Sequence, residues 1–352
     1  MTPMKCTIIA SVSAALTLAS AANGQSSSDN LGSVSELSEV RITVDNFVRA
    51  ATDIEFQKYI ALAGGVNRFF HFREPTPVDN QPTIAMNRDT LYSMIIVDIS
   101  EGAVLTLPDV GPRYLRAMVV NQDHYINKVF HGAGTYVLDL DTFDTPYVAV
   151  AMRTLVDASD PEDVAKVNAI QDAMRVDANS SNPFIPPNYD VDAIQELIST
   201  LIPISPFVPD AARTFGSKEE VNGFRHVLGT AGGWGGLPES EAFYASVYPQ
   251  LPTGEYKIEV PADVPVEAFW SISIYNADRF FEPNERNAYN INSVDGARND
   301  DGSMTVHLGG CDDDRVNCLP IMEGWNYSVR MYQPGPEIVD GSWTFPSVQP
   351  LN

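Results

Sequence analysis

From residue 90 to residue 153 the chain is a succession of short apolar runs, each closed by Gly, Pro or Asp turns: Thr90-Leu-Tyr-Ser-Met-Ile-Ile-Val-Asp-Ile99, Ala103-Val-Leu-Thr-Leu107, Tyr114-Leu-Arg-Ala-Met-Val-Val-Asn121, Asn127-Lys-Val-Phe130, Thr135-Tyr-Val-Leu-Asp139 and Tyr147-Val-Ala-Val-Ala-Met-Arg153. Thr83-Ile-Ala-Met86 reads as a further strand before them. The intervals are too short to hold crossover helices, so the pattern predicts an antiparallel sandwich or barrel and not a parallel sheet. It resumes in Lys257-Ile-Glu-Val260, the run from Ala268 to Tyr275, Tyr289-Asn-Ile-Asn292, Ser303-Met-Thr-Val-His-Leu308 and the run from Tyr327 to Tyr332, with Asn299-Asp-Asp-Gly302 marking a hairpin.

Helical spacing flanks and separates these two stretches. Residues 44–63 carry one apolar stripe stopped by Gly64-Gly65. Ser159-Asp-Pro161 caps a helix whose stripe is Val164, Val167, Ile170, Ala173 and Met174. A second helix is predicted over 191–201, and Ser217-Lys-Glu-Glu220 forms a capping box that opens a third, to about Leu228. Residues 229–236, glycine-rich around Trp234, read as a loop, and 239–248 as a short fourth helix. The 352 residues suffice for two domains. The division is an N-terminal β domain over 39–155, a helical insertion over 156–250 and a C-terminal β domain over 251–352. The insertion serves as a cap or spacer, or as a mobile lid.

The 46 acidic residues against 22 basic ones give a net charge of -24, which repels nucleic acid and anionic membrane surfaces. Residues 1–24 combine Lys5, an apolar core from Ile8 to Ala19 and the small residues Ser20-Ala-Ala-Asn-Gly24, the layout of a secretory signal peptide. A Ser/Asn/Gly-rich flexible leader follows over 25–38. No later stretch reaches the ~20 apolar residues of a membrane span. The expected mature protein is therefore secreted or periplasmic. Only Cys311 and Cys318 remain after cleavage, and an oxidising compartment makes them a disulfide. A metal site is the alternative, although two cysteines without a nearby histidine pair match no zinc spacing. Asn179 and Asn326 head glycosylation sequons. Asp312-Asp-Asp314 and Asn299-Asp-Asp301 read as turns before they read as calcium loops, and no metal is assigned.

Several motifs carry a resemblance. Asn87-Arg-Asp-Thr-Leu-Tyr-Ser93, with Leu105-Thr-Leu-Pro-Asp109 and Tyr114, resembles the core of domain of unknown function 1254. The run from Phe269 to Tyr275, Phe280-Phe281, Asn299-Asp-Asp-Gly-Ser-Met-Thr305, Asn317-Cys-Leu-Pro320, Val329-Arg-Met-Tyr332 and Asp340-Gly-Ser-Trp343 resemble domain of unknown function 1214. The resemblance spans about Asn67 to Pro350 in the order of this tandem family. It implies a secreted or envelope-associated protein with two jelly-roll-like antiparallel β-sandwich domains and a helical insertion, and names no chemistry or cofactor. Cys318 stands where the family more often has tryptophan, which suggests a local disulfide in place of an aromatic plug.

Three constellations are candidates for a site. Asn87, Arg88 and Asp89 precede an apolar strand, and buried charges there must be paired: either Arg88 and Asp89 lock the strand, or Arg88 grips a ligand carboxylate. Asn121, Asp123, His124 and Tyr125 crowd a base, an acid and a phenol into one turn, a proton-transfer site if His124 meets a carboxylate. Phe269 to Phe281 alternates, with Trp270, Ile272 and Ile274 on a greasy face and Phe269, Ser271, Ser273 and Tyr275 on a mixed one that is the better pocket candidate. The pocket is expected from Asn87, Arg88, Asp89, Tyr92, Tyr275 and Arg279, with Asn121, Tyr125 and Tyr332 as further ligand contacts. Asp89 or His124 would move a proton. Its ligand class is a small molecule or carbohydrate. The competing expectation is an envelope assembly protein in which jelly-roll surfaces make homo-oligomers. No Gly-x-Ser-x-Gly elbow, His-Glu-x-x-His, phosphate loop or dinucleotide fingerprint occurs, which argues against serine hydrolysis and nucleotide chemistry.

Overall fold

The computed structural model describes residues 38–351 apart from 82, 83, 209 and 314. The predicted signal peptide and all but the last residue of the leader lie outside the described residues. Among the described residues there are sixteen strands in four mostly antiparallel sheets, with six α-helices. They form two β-sandwiches, not a barrel.

The first sandwich is built from β1 (Phe69–His71), β2 (Thr90–Asp98), β3 (Ala103–Leu107), β4 (Leu115–Asn121), β5 (Ile126–His131), β6 (Gly134–Leu138), β7 (Tyr147–Leu155) and β8 (Arg175–Ala178). One sheet has the order β1-β2-β7-β4-β5 and the other β6-β3-β8. Ile95, Val97, Leu105, Leu115, Val119, Val150 and Met152 fill the space between them. β2 and β7 are buried along nearly their whole length, because their other face is covered as well. That explains why they read as continuous apolar runs and not as a clean alternation.

The second sandwich holds β9 (Ala242–Val247), β10 (Tyr256–Val260), β11 (Val266–Tyr275), β12 (Asn290–Asn292), β13 (Met304–Leu308), β14 (Cys318–Leu319), β15 (Asn326–Pro334) and β16 (Gln349–Pro350). Its sheets are β12-β11-β15-β9 and β14-β13-β10-β16. Trp270, Ile272, Ile274, Val329 and Met331 face Ile258, Val260, Val306 and Leu308 across the core, as the alternation of residues 269–275 requires.

Helix α1 (Phe47–Ala63) ends at Gly64 in the left-handed conformation, which a residue without Cβ adopts at little cost. α2 (Leu140–Phe143) is a single turn. α3 (Pro161–Ala173) starts with Asp160 accepting the Glu162 N–H and Pro161 in the first turn. α4 (Val191–Leu201) and α5 (Gly223–Gly233) pack on α1 through Phe47, Ala50, Ile194 and Leu228, and α6 (Pro336–Val339) follows the last long strand.

Five local expectations are corrected. Residues 242–247 are strand β9 and not a helix, because Ala245 and its neighbours complete the ladder on β15 from Tyr332↔Ala242 to Tyr327↔Val247. Residues 229–233 are the end of α5 and not a loop; small residues let Phe215 pack against the helix, and a Cβ on Gly229 would meet Thr214 at 2.4 Å. The Ser217–Glu220 box forms, with the Ser217 N–H donating to Glu220 Oε2 at 2.8 Å, but it closes an isolated turn, and the helix itself begins beyond Asn222, which caps it. Asn299–Gly302 is a tight turn, yet it joins strands of different sheets and so is no hairpin. The strand expected at 83–86 is also absent: residues 84 and 85 form a turn, and residue 83 lies outside the described residues.

The 156–250 stretch contributes β8 to the first sandwich and β9 to the second. Asn326 is 2% exposed, so its sequon is not presented in the folded chain. Cys311 and Cys318 form a disulfide beside the β13–β14 pair. Cys318→Ser is expected to lower stability by ~2–3 kcal/mol, the loop-closure value for a short ring, read from urea midpoints without reductant; an unchanged midpoint would show that the ring adds nothing.

Candidate functional site

Strand alternation sends Tyr92, Met94 and Ile96 of β2, and Arg153, Ala151 and Ala149 of β7, to the face away from the first core. The second sandwich turns the equivalent face of its β12-β11-β15-β9 sheet towards them, with Tyr332 and Phe269 stacked at 4.2 Å. A third apolar cluster therefore lies between the sandwiches, closed by Phe56 and Tyr59 of α1 and by Trp234 and Leu237. Packing there is incomplete. A cavity of about 240 Å³ remains, its wall including Tyr59, Leu91, Met94, Phe215, Trp234 and Leu237 and its polar groups including Asn87, Tyr92, Arg153, Tyr244 and Arg330, together with the carboxyl groups of Glu74 and Glu239.

Arg153 is the unusual member. It is 8% exposed, Nη2 donates to the Gly235 carbonyl at 3.1 Å, the Tyr92 hydroxyl is a hydrogen-bond partner of the guanidinium, and Nη1 itself meets no partner in good geometry. No ion pair joins it to a carboxylate among the described residues; the groups around its charge are the phenols of Tyr92, Tyr244 and Tyr114. Its cross-strand neighbours are Tyr92 on β2 and Arg116 on β4. Like charges directly opposite on one sheet face repel, and Arg116 is held apart by stacking 4.6 Å from the Tyr114 ring centroid and by Gln333.

Tyr92 lies beside this charge, its ring centroid 5.4 Å from the guanidinium carbon. Burial alone would raise its pKa, but the Arg153 charge and the Asn87 amide bring it below the usual phenol value. Burial pushes Tyr59, Tyr114, Tyr244 and Tyr332 the other way, upwards. The Asn87 amide has a settled orientation: Oδ1 accepts the Asp89 N–H at 2.7 Å, so Nδ2 points at the hydroxyls of Tyr332 at 3.0 Å and Tyr92 at 3.4 Å.

Of the residues expected at the site, Asn87 and Tyr92 line the cavity, and Tyr332 is joined to them through the Asn87 amide. Asp89 is 0% exposed and lies outside the cavity wall, accepting from Ser271 Oγ at 2.6 Å and Asn290 Nδ2 at 2.7 Å; burial raises its pKa against the opposing pull of Arg330 and these two donors. Tyr275 donates to the Met86 carbonyl at 2.8 Å and accepts from Arg330 at 2.7 Å. Arg279 is ringed by hydroxyls of Tyr248, Ser246 and Ser328. Arg88 lies over the Tyr289 ring and donates to the Thr76 carbonyl, with Asp89 held by other partners. Asp89, Tyr275, Arg279 and Arg330 thus form a polar layer that ties the two sandwiches together.

The turn residues Asn121, His124 and Tyr125 occupy the far side of Trp234. Asn121 Oδ1 accepts the N–H groups of Asp123 and Tyr125, each at 3.0 Å, and Tyr125 stacks on His226 at 4.8 Å. His124 is 0% exposed and stacks on Trp234 at 5.5 Å. Its Nε2 accepts the Gly235 N–H at 2.9 Å, so Nδ1 carries the proton and donates to Thr230 Oγ1 at 2.7 Å. Burial, then the neighbouring His226, hold it well below its ordinary pKa and therefore neutral. Asp123 pairs instead with Arg49 at 2.6 Å. His124 meets the cavity from behind, through the N–H of Gly235, the residue whose carbonyl accepts from Arg153.

Arg153, Arg330, Tyr244 and Trp234 were not singled out by sequence. The available signal was an arginine inside an otherwise apolar run, at Tyr147-Val-Ala-Val-Ala-Met-Arg153 and Tyr327-Ser-Val-Arg330-Met. Tyr244 and Trp234 were hidden by their misassigned elements. Gly236 defines the wall more tightly than its sequence context suggests: a Cβ there would lie 2.3 Å from the Phe215 ring. Gly236→Ala is expected to cost about 1–3 kcal/mol through overpacking. Adding Phe215→Leu should recover part of it, and additive losses in a denaturation cycle would show that the two do not interact.

Fold and site together define a protein of two facing β-sandwiches with a partly open, arginine-bearing cavity between them. The family described as Protein of unknown function (DUF1254) matches residues 66–137, and Protein of unknown function (DUF1214) matches 249–336. The chain carries these two domains in that order. The VPA0106 protein from Vibrio parahaemolyticus has a similar structure, at 18% identity and a TM-score of 0.65, covering 88% of this chain and 100% of that one. A putative uncharacterized protein from Burkholderia cenocepacia aligns at 15% identity with a TM-score of 0.49, over 87% of this chain and 86% of that one. No curated protein matches.

Proposed function

We propose that the protein binds a small organic acid in the interdomain cavity, its carboxylate on Arg153 and its apolar body against Trp234, Phe215, Met94 and Leu91. The observation that carries this is the unpartnered Nη1 of a buried guanidinium facing an otherwise largely apolar cavity. A buried guanidinium paired with no carboxylate, only with the Gly235 carbonyl and the Tyr92 phenol, keeps part of its desolvation cost, and an anionic ligand offsets that cost with a charge-assisted hydrogen bond. The wall favours a compact molecule with a hydrocarbon or aromatic body over a sugar. An export-type segment at residues 1–24 and the Cys311–Cys318 disulfide support a location outside the cytoplasm.

Ligands that bind only the folded state raise its melting temperature by mass action. A thermal-shift series with benzoate, hexanoate, 4-methyl-2-oxopentanoate and glucose is expected to show shifts for the acids and none for glucose. The acid shifts should vanish in Arg153→Met. Equal shifts in wild type and variant, or a response to glucose alone, would overturn the reading.

A further inference from the structure

We propose that Tyr92 is a catalytic base which exchanges a proton with the carbon next to the carbonyl group of a bound keto acid, so that the cavity enolises its ligand. This rests on the organic-acid reading of the cavity.

The geometry supplies each part. Tyr92 and Arg153 are directly opposite across the β2–β7 ladder, a register that brings Cβ atoms to within ~5.5 Å. A keto acid whose carboxylate and keto oxygens share the Arg153 guanidinium, the keto oxygen on Nη1, therefore puts the carbon next to its carbonyl beside the phenol. The Tyr92 oxygen accepts from Asn87 Nδ2, and Arg153 and the Thr90 hydroxyl are its other side-chain hydrogen-bond partners. A phenol oxygen that meets an amide donor and a neighbouring cation is one whose ionised form is favoured. Asn87 is locked by the Asp89 N–H and Tyr332, and Asp89 by Ser271 and Asn290, so the base is held by a chain of buried bonds reaching into the second sandwich.

The phenols around Arg153 are also driven apart. Tyr92 is lowered, whereas Tyr59, Tyr114, Tyr244 and Tyr332 are raised, the separation that distinguishes a base from groups that stay protonated. In the step itself, the Tyr92 phenolate takes the proton and the C–H electron pair becomes the enolate double bond. The carbonyl pair moves onto oxygen, where Arg153 Nη1 stabilises the charge. Swap of the Tyr92 hydroxyl hydrogen with solvent, followed by its delivery to the same carbon, completes exchange; delivery to a conjugated carbon gives an isomer. No oxidant or co-substrate is required.

The test follows loss of the C3 methylene proton signal of 4-methyl-2-oxopentanoate in D2O by NMR, with binding of the same compound measured separately by thermal shift. Wild type should exchange at least ~100-fold faster than buffer, the low end of general-base catalysis. The rate should rise with pH as Tyr92 ionises and level off below pH 10, since its pKa lies under the ordinary phenol value. The groups facing that hydroxyl are Arg153 from β7, Asn87 and Thr90 from β2 and its approach, and the cavity phenols. Tyr92→Phe should fall to the buffer rate and still bind; Arg153→Met should lose both. Binding without exchange in wild type, or full exchange in Tyr92→Phe, overturns the catalytic proposal and leaves the binding reading standing. No shift with any acid overturns both.

Discussion

Arg153→Met is expected to abolish organic-acid binding and leave the ligand-free protein within about 1 kcal/mol of wild type, or above it. Arg113, for comparison, makes a two-pronged pair with Asp163 at 2.9 and 2.5 Å, and removing it strands a carboxylate, the loss that makes broken buried pairs costly. Arg153 strands none. Its removal forfeits a charge-assisted hydrogen bond to the Gly235 carbonyl, worth about 1.5–3 kcal/mol, and the contact with the Tyr92 hydroxyl. Against that, it relieves the desolvation of a charge that no carboxylate offsets and the repulsion from Arg116 across the ladder. Methionine keeps the volume of the side-chain stem and fits irregular space. Urea midpoints and thermal shifts with benzoate, measured on the same preparations, give the two numbers. A loss of 3 kcal/mol or more in the ligand-free variant would mean that Arg153 holds the fold together and that the cavity is incidental.

Asp89→Ala is expected to do the reverse, lowering stability by about 3 kcal/mol or more. The carboxylate is fully buried and accepts hydrogen bonds from two residues of the other sandwich, Ser271 and Asn290. Truncation leaves both donors unsatisfied and removes the negative charge nearest Arg330, whose guanidinium stays buried against Ser273, Tyr275 and the Ala85 and Met86 carbonyls. Each unsatisfied donor costs ~1–3 kcal/mol, and a charge left without compensation more. Because the Asp89 carboxylate joins the first sandwich to Ser271 and Asn290 of the second, proteolysis should open the junction between the sandwiches before either core. A double-mutant cycle with Ser271→Ala measures the coupling, and strictly additive losses would show that the junction does not depend on this contact.

Much of the framework was legible because its causes are local. Ala103–Leu107 has the bounds expected from its alternation, and Asp160 with Pro161 starts α3 where the capping residues stand. The two faces of 269–275 separated as written, Trp270 into the core and Ser271, Ser273 and Tyr275 towards the other sandwich. The misassigned elements share one cause. Residues 239–248 and 229–236 take their conformation from partners far away in sequence, β15 for the first and Phe215 for the second, and neither leaves a local period to read. His124 illustrates the same limit for chemistry: its place beside Asp123 suggested a proton relay, whereas a turn with positive φ at His124 directs the ring to Thr230 and Gly235.

The sequence by itself therefore determined the class of fold, the tandem order of its domains, the disulfide and the motif Asn87-Arg-Asp-Thr-Leu-Tyr that borders the site, since pleat alternation, capping and turn chemistry act over a few residues. The cavity was decided only in three dimensions. Asn87 reaches Tyr332 across 245 residues of sequence, and whether an arginine in an apolar strand meets a carboxylate, solvent or an empty space depends on how two sheet faces are brought together. No local pattern encodes that contact, because burial and charge pairing are properties of the surfaces that meet and not of either strand alone.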